Sequence, residues 1–135
     1  MKALITGASS GIGRDIAKEL SKKGYDLVLV ARDLEKLNEV KAELNTKVET
    51  ISMDISKPEN CKKLHDQYKD IDILVNNAGF GDCGYFDKTN LDKELQMINT
   101  NIVAYHVLTK LYLQDMKKRN SGKILNVASI AGFMP

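Results

Sequence analysis

Apolar residues along the chain fall into short continuous runs that alternate with stretches of helical spacing. A short run at 3–6 leads into a glycine-rich turn and predicts a first strand. Over 12–23, Ile12, Ile16, Ala17 and Leu20 recur at the intervals of one helix face. Gly24 then stands where helices commonly end in a left-handed residue. Residues 26–31, DLVLVA, are an unbroken β-rich run, the pattern of a strand covered on both faces. Asp33 is placed to cap a second helix with Leu34, Leu37, Val40 and Leu44 on one stripe. A third strand is predicted over 48–53. SKPE at 56–59 reads as a capping box, with Pro58 early in the helix and Cys61, Leu64 and Tyr68 on its apolar face. DILVN at 72–76 predicts a fourth strand, a long helix follows over 90–118, and a fifth strand is predicted over 123–128.

Strands alternating with helices build parallel βαβ units, and right-handed crossovers place helices on both faces of one open sheet. The expected fold is therefore a doubly wound α/β domain over 1–135, with no internal repeat or linker. Ligands in such sheets bind beyond the carboxyl ends of the strands. The residues just after each strand thus carry the functional information. Composition narrows the classes. At 135 residues the chain can bury one real core. Its net charge of +2, with lysines and arginines interspersed among acids, argues against nucleic acid as a partner. No stretch approaches the roughly 18 apolar residues of a membrane span, and the N-terminal run reads as a strand rather than a signal peptide. Cys61 and Cys83 form no C-x-x-C motif and no metal cluster with His65 or His106. No metal is expected, and a reduced cytoplasmic setting fits.

After the first strand comes TGASSGIG, with Gly7, Gly11 and Gly13 opening directly onto a helix. Glycines let a backbone approach a phosphate closely, and a helix N-terminus offers free N–H groups and the positive end of its dipole. The spacing is G-x-x-x-G-x-G. This segment resembles the cofactor loop of the short-chain dehydrogenase/reductase family, and the resemblance extends over essentially the whole chain. It implies a Rossmann-like sheet and a pyridine nucleotide lying across Thr6, Gly7, Ser9, Ser10, Gly11, Ile12 and Gly13. After the second strand comes VARD. NAD-preferring folds place a carboxylate near this tip, but here Arg32 stands there, and a guanidinium suits a 2′-phosphate. NADP is favoured over NAD, the alternative being that Arg32 is an exposed loop residue. Asp33, one residue on, is better explained as the helix cap.

Asp54, after the third strand, resembles the family's adenine-contacting aspartate, with Ile55 packing beside the ring; on its own it reads as a turn former. NNAG, at 76–79, closely matches the family's motif after the fourth strand. The match implies that Asn76, Asn77, Ala78 and Gly79 belong to the cofactor site, with Asn76, Ala78 and Gly79 bordering the ribose. Phe80, Cys83 and Tyr85 follow as candidates for a substrate-side wall, Cys83 as a passive residue. Asn101 in the long helix matches the family's helix asparagine, which supports a proton-relay water, although Asn99 is equally polar and two residues away. Leu95, Ile98, Ile102, Leu108, Leu111 and Tyr112 are read as one apolar face. In the family such a helix also forms the contact of a homo-oligomer, so 90–118 is the expected interface.

Ser129, after the fifth strand, matches the family's catalytic serine. The family's general acid is a tyrosine followed four residues later by a lysine. Tyr25, Tyr68, Tyr85, Tyr105 and Tyr112 are followed at that distance by Leu29, Asp72, Thr89, Thr109 and Met116. The chain is therefore expected to be the N-terminal part of a longer oxidoreductase, truncated after the fifth strand and inactive alone. Its reaction would move a hydride between NADP(H) and a small carbonyl or alcohol substrate. The competing expectation is a dinucleotide-binding module without turnover.

Overall fold

A computed structural model describes residues 1–134 of the chain. Five strands form one parallel sheet: β1 (Lys2–Thr6), β2 (Asp26–Ala31), β3 (Val48–Ser52), β4 (Ile73–Asn76) and β5 (Lys123–Asn126). Their order across the sheet is β3-β2-β1-β4-β5. The chain winds from β1 outward to β3, then returns past β1 to β4 and β5. The reversal falls between β1 and β4, which is where a doubly wound sheet opens a ligand crevice. The connections are α1 (Gly11–Lys22), α2 (Leu34–Ala42), α3 (Pro58–Gln67) and the pair α4 (Leu91–Ile98) and α5 (Ala104–Lys118).

The central strands are unbroken apolar runs because both sheet faces are covered. Alternate residues serve opposite layers. Leu27 and Leu29 join Ala3, Ile5 and Ala17 beneath α1 and α2. Val28 and Val30 join Leu4, Leu64 and Leu108 beneath α3 and α5. Each large side chain so buried contributes about 1.5–3 kcal/mol.

Local sequence sets most helix starts. Asp33 accepts the Lys36 N–H at 3.1 Å and Asn90 accepts the Lys93 N–H at 2.9 Å. Leu34, expected on the α2 stripe, is exposed instead, while Leu37 and Val40 are buried. The capping box at 56–59 does not form. Lys57 holds the N-cap position without a side-chain bond, and Ser56 is buried with its N–H donated to Asp54 Oδ1 at 3.0 Å. The Asp54 turn thus takes Ser56, two residues upstream of the helix. β5 also ends earlier than 128, because β4 leaves the sheet at Asn76 and the ladder stops at the Asn76–Asn126 pair.

The long helix of 90–118 is interrupted. Between α4 and α5 the segment Asn99–Val103 is π-helical, and the Ala104 N–H reaches back to the Asn99 carbonyl. A wider turn shifts the stripe that follows it. Leu108, Tyr112 and Met116 are buried, whereas Leu95, Ile98 and Ile102 are exposed. The apolar face expected over 95–112 is therefore two faces. Among the described residues, no helix is long and apolar enough to cross a membrane.

α3 and α5 are joined by His65, whose Nε2 lies 2.6 Å from Asp115 Oδ2. The His65 ring also meets Tyr112 edge-on, with centroids 5.0 Å apart. The hydrogen bond from His65 holds the Asp115 carboxyl below its ordinary value against the opposing effect of burial. A carboxyl depressed in the folded state stabilises above its unfolded pKa and loses that contribution as pH falls through the folded value. Asp115→Ala should therefore be less stable than wild type at neutral pH, with the two converging below about pH 4 in urea titrations. A gap that widens in acid would contradict this linkage. Tyr112 is wholly buried, and its hydroxyl has no partner among the described residues. An unmet buried group costs about 1–3 kcal/mol. Tyr112→Phe should keep or raise the thermal midpoint, and a drop of several degrees would show that the hydroxyl is satisfied.

Candidate functional site

The first residue of the glycine-rich turn is wholly buried. Thr6 Oγ1 donates to the Val75 carbonyl at 3.4 Å and accepts the N–H groups of Asn77 and Ala78 at 3.0 and 3.1 Å. The end of β1 is thereby stitched to the turn after β4, across the reversal point of the sheet. Asn77 answers from the other side, with Nδ2 donating to the carbonyls of Thr6 and Gly7, both at 3.1 Å. The two glycines beside this knot fit because nothing larger can. A Cβ on Gly7 would sit 2.8 Å from Ala78 Cα, and φ there is +65°. A Cβ on Gly13 would sit 2.3 Å from the Gly7 carbonyl oxygen and 2.5 Å from Asn77 Nδ2. Gly11 differs. Its φ is +53° and a Cβ would meet nothing within 4 Å, so its backbone borders open space.

That space lies at the start of α1. Ser10 is the N-cap but makes no side-chain cap bond, and the first turn carries no acidic residue. α2 and α4, in contrast, have Asp33 and Asn90 as side-chain caps and acids in their first turns. The positive end of α1 is thus left without a protein anion or cap, which suits a phosphate. Ser9 is half-buried, and Ser10, Gly11 and Ile12 are exposed beside it. Arg14, in the same turn, is already paired with Glu43. These features fit the diphosphate of a dinucleotide.

Arg32 follows β2 directly and is exposed, and among the described residues it forms no ion pair. Its carbonyl accepts the Ser52 hydroxyl at 2.8 Å. Asp54 lies near it. Burial alone would raise the Asp54 carboxyl, but the hydroxyl and amide of Ser56, then Arg32 and Lys57, outweigh it and hold the group below its ordinary value. Ile55 is buried in the layer beneath α3 and α5. Asn76 is wholly buried, and its Nδ2 donates to Thr109 Oγ1 at 3.0 Å and to Asn126 Oδ1 at 2.9 Å. Its side chain joins β4 to α5 and β5. Gly79 is exposed and lies against Asn101, whose Oδ1 would be 3.1 Å from an added Cβ.

Asn101 stands in the π-helical segment and holds the residue after NNAG on both sides. Its Oδ1 accepts the Phe80 N–H at 3.1 Å and its Nδ2 donates to the Phe80 carbonyl at 2.8 Å. Both polar atoms of the amide thus engage this backbone. Asn99, the other asparagine in that helix, instead supplies the carbonyl that closes the π turn. Ser129 is exposed after β5, where its Oγ accepts the Ala131 N–H at 3.1 Å and caps the short 3-10 turn Ile130–Phe133. Its O–H remains free to donate. Phe80 is half-buried, while Cys83, Tyr85 and Phe86 are exposed in the same loop. His106 is exposed on α5.

Tyr105, Thr109 and Asn126 were not singled out from sequence. Tyr105 lies four residues after Asn101, and its hydroxyl donates to the Val127 carbonyl at 3.2 Å. The interval is the one sequence signal that ties it to the site, since residues four apart share a helix face. Among the described residues no group of three ligating side chains gathers as a metal site.

Comparison with known proteins agrees with this geometry. The short chain dehydrogenase family model matches residues 1–135. An uncharacterised oxidoreductase of Staphylococcus epidermidis is 39% identical over 98% of this chain and 60% of its own. An NADP-dependent 3-hydroxy acid dehydrogenase of Schizosaccharomyces pombe is 39% identical over 96% of this chain and 54% of its own. A short-chain dehydrogenase from Sphingobium yanoikuyae, solved in complex with NADPH, superposes with a TM-score of 0.91 at 33% identity, covering 99% of this chain and 56% of that one. The chain thus spans little more than half the length of these relatives. With a parallel sheet reversing between β1 and β4, a glycine turn on an uncapped helix and a match over every residue, the chain belongs to the short chain dehydrogenase family.

Proposed function

We propose that the chain is the nucleotide-binding part of an NADP-dependent oxidoreductase that interconverts a small carbonyl compound and its alcohol. The observation that carries this reading is the uncapped, acid-free start of α1 beside the open space at Gly11. The amides of that turn hold the diphosphate. Arg32 pairs with the 2′-phosphate, its charge permanent and its fork matched to phosphate oxygens. Asp54, held ionised, accepts a hydrogen bond from the adenine end. Gly79 leaves room beside the nicotinamide ribose, and Asn101 fixes the Gly79–Phe80 loop. A bound pyridine nucleotide supplies or accepts the hydride. Ser129 donates a hydrogen bond to the substrate oxygen, where negative charge grows on reduction. The NADP named for the yeast relative and the NADPH of the Sphingobium complex support the same cofactor. The exposed stripe of Leu91, Leu95, Ile98 and Ile102 supports contact with a second copy through α4.

Two measurements test this reading. Arg32→Asp should weaken NADPH binding by about tenfold or more, the effect of losing a charge-assisted pair, and leave NADH binding little changed. Equal losses for both cofactors would overturn the 2′-phosphate assignment. Residues 1–135 include no tyrosine followed four places on by lysine. Purified 1–135 should therefore bind NADPH in fluorescence titrations without oxidising it in the presence of simple ketones. Steady oxidation would show that the chain carries its own proton donor, and absence of any nucleotide binding would sink the proposal.

A further inference from the structure

We propose that Tyr105 is a positioning residue that sets the place of Ser129 by gripping the backbone two residues before it. The inference rests on the reading of Ser129 given above. β5 is the outer strand of the sheet among the described residues, and its ladder ends at Asn126. Beyond that point, among the described residues, the backbone has two hydrogen-bonded anchors to the rest of the molecule, both on Val127. Its N–H donates to the Asn76 carbonyl at 2.9 Å, and its carbonyl accepts the Tyr105 hydroxyl at 3.2 Å. The hydrogen bonds of 128–134 are all internal to that segment: Ala131 N–H to Ser129 Oγ, Gly132 N–H to the Ser129 carbonyl, and Met134 N–H to the Ala131 carbonyl. The direction in which Ser129 leaves the sheet is therefore fixed at Val127, from β4 on one side and from α5 on the other.

The strand bond alone fixes one end of that residue. Without the phenol, the Val127 carbonyl loses its partner and the following peptide can rotate. Burial raises the Tyr105 phenol above its ordinary value, so it stays a protonated donor at any working pH. The π-helical segment that leads into α5 carries a second brace. Asn101, four residues earlier, grips both polar groups of the Phe80 backbone after β4. The junction of the π-helical segment with α5 thus holds the loop after β4 through Asn101 and the loop after β5 through Tyr105. The spacing between Gly79 and Ser129 is then set by rigid helix rather than by two independent loops.

The test uses the full-length gene product and its Tyr105→Phe and Tyr112→Phe variants. Both remove one hydroxyl from α5, but the Tyr112 hydroxyl has no partner among the described residues. Amide hydrogen exchange at the hydrogen-bonded N–H groups of Val127, Ala131 and Gly132 should quicken about fivefold in Tyr105→Phe, the effect of losing one ordinary hydrogen bond, and stay unchanged in β1 and β4. Tyr112→Phe should leave exchange at those three residues as in wild type. In carbonyl reduction with NADPH, Tyr105→Phe should lower kcat while leaving KM for NADPH unchanged. Unchanged exchange in Tyr105→Phe would overturn the brace, and faster exchange with kcat intact would overturn its role in placing Ser129. A wild-type protein with no turnover and no NADPH binding would instead sink the proposed function, with exchange still deciding whether Tyr105 grips the segment.

Discussion

The site depends on one threonine hydroxyl. Thr6 Oγ1 is placed where β1 and β4 separate, and it bonds three backbone groups of β4 and the turn after it. Because both donors and the acceptor are backbone groups, the contact fixes where the two strand ends lie rather than where a side chain points. Everything nearby follows from that distance. Gly7 and Gly13 have no room for a Cβ because Thr6 and Asn77 draw the turns together. The close fit of Gly13 against Gly7 in turn seats the first turn of α1 over the crevice, with its amides facing outward. A buried hydroxyl that satisfies three partners also leaves no unmet polar group at the crossing point, where an orphan would cost about as much as the bond contributes.

The sequence was most legible where a single local rule decides. The runs DLVLVA and DILVN became β2 and β4 nearly to the residue, because a strand covered on both faces readily places five or three consecutive apolar side chains. Asp33 caps α2 as its spacing predicts. Failures came where two local signals competed for one group. Ser56 matches a capping box, yet Asp54 takes its amide first, and no propensity ranks those two options. β5 is shorter than its own residues suggest because its length is set by its partner, which ends at Asn76. The π-helical segment left no trace in the hydrophobic pattern, which reads as one stripe across it.

In the site itself, motif and role came apart. The paired asparagines of NNAG look equivalent in sequence, but a strand alternates its sides. Asn76 turns inward to Thr109 and Asn126, and Asn77 turns to the glycine loop. Ile55 likewise follows the core and not the crevice. Tyr105 carries no motif of its own. Its partner is a backbone carbonyl, and which carbonyl lies within reach depends on packing between α5 and β5, which no local pattern encodes.

The distribution of cations argues that the crevice is selected by electrostatics as well as shape. Arg14 and Lys18 project from α1 beside the candidate site, but both are engaged by Glu43. An arginine already matched by a carboxylate contributes little to an incoming phosphate, since the pair is nearly neutral at a distance. Among the described residues Arg32 has no such partner, and Asp54, the acid it influences, is bound by Ser56 instead. Asp33, adjacent in sequence, is occupied at the start of α2 and by Lys36. The carboxylates that could cancel Arg32 are therefore each committed elsewhere by short-range bonds. The free guanidinium stands at the tip of β2 and the uncapped helix stands beyond β1. Two adjacent strands thus present two separate anion-seeking groups on one edge, the arrangement that a ligand with phosphates at two places along its length would require.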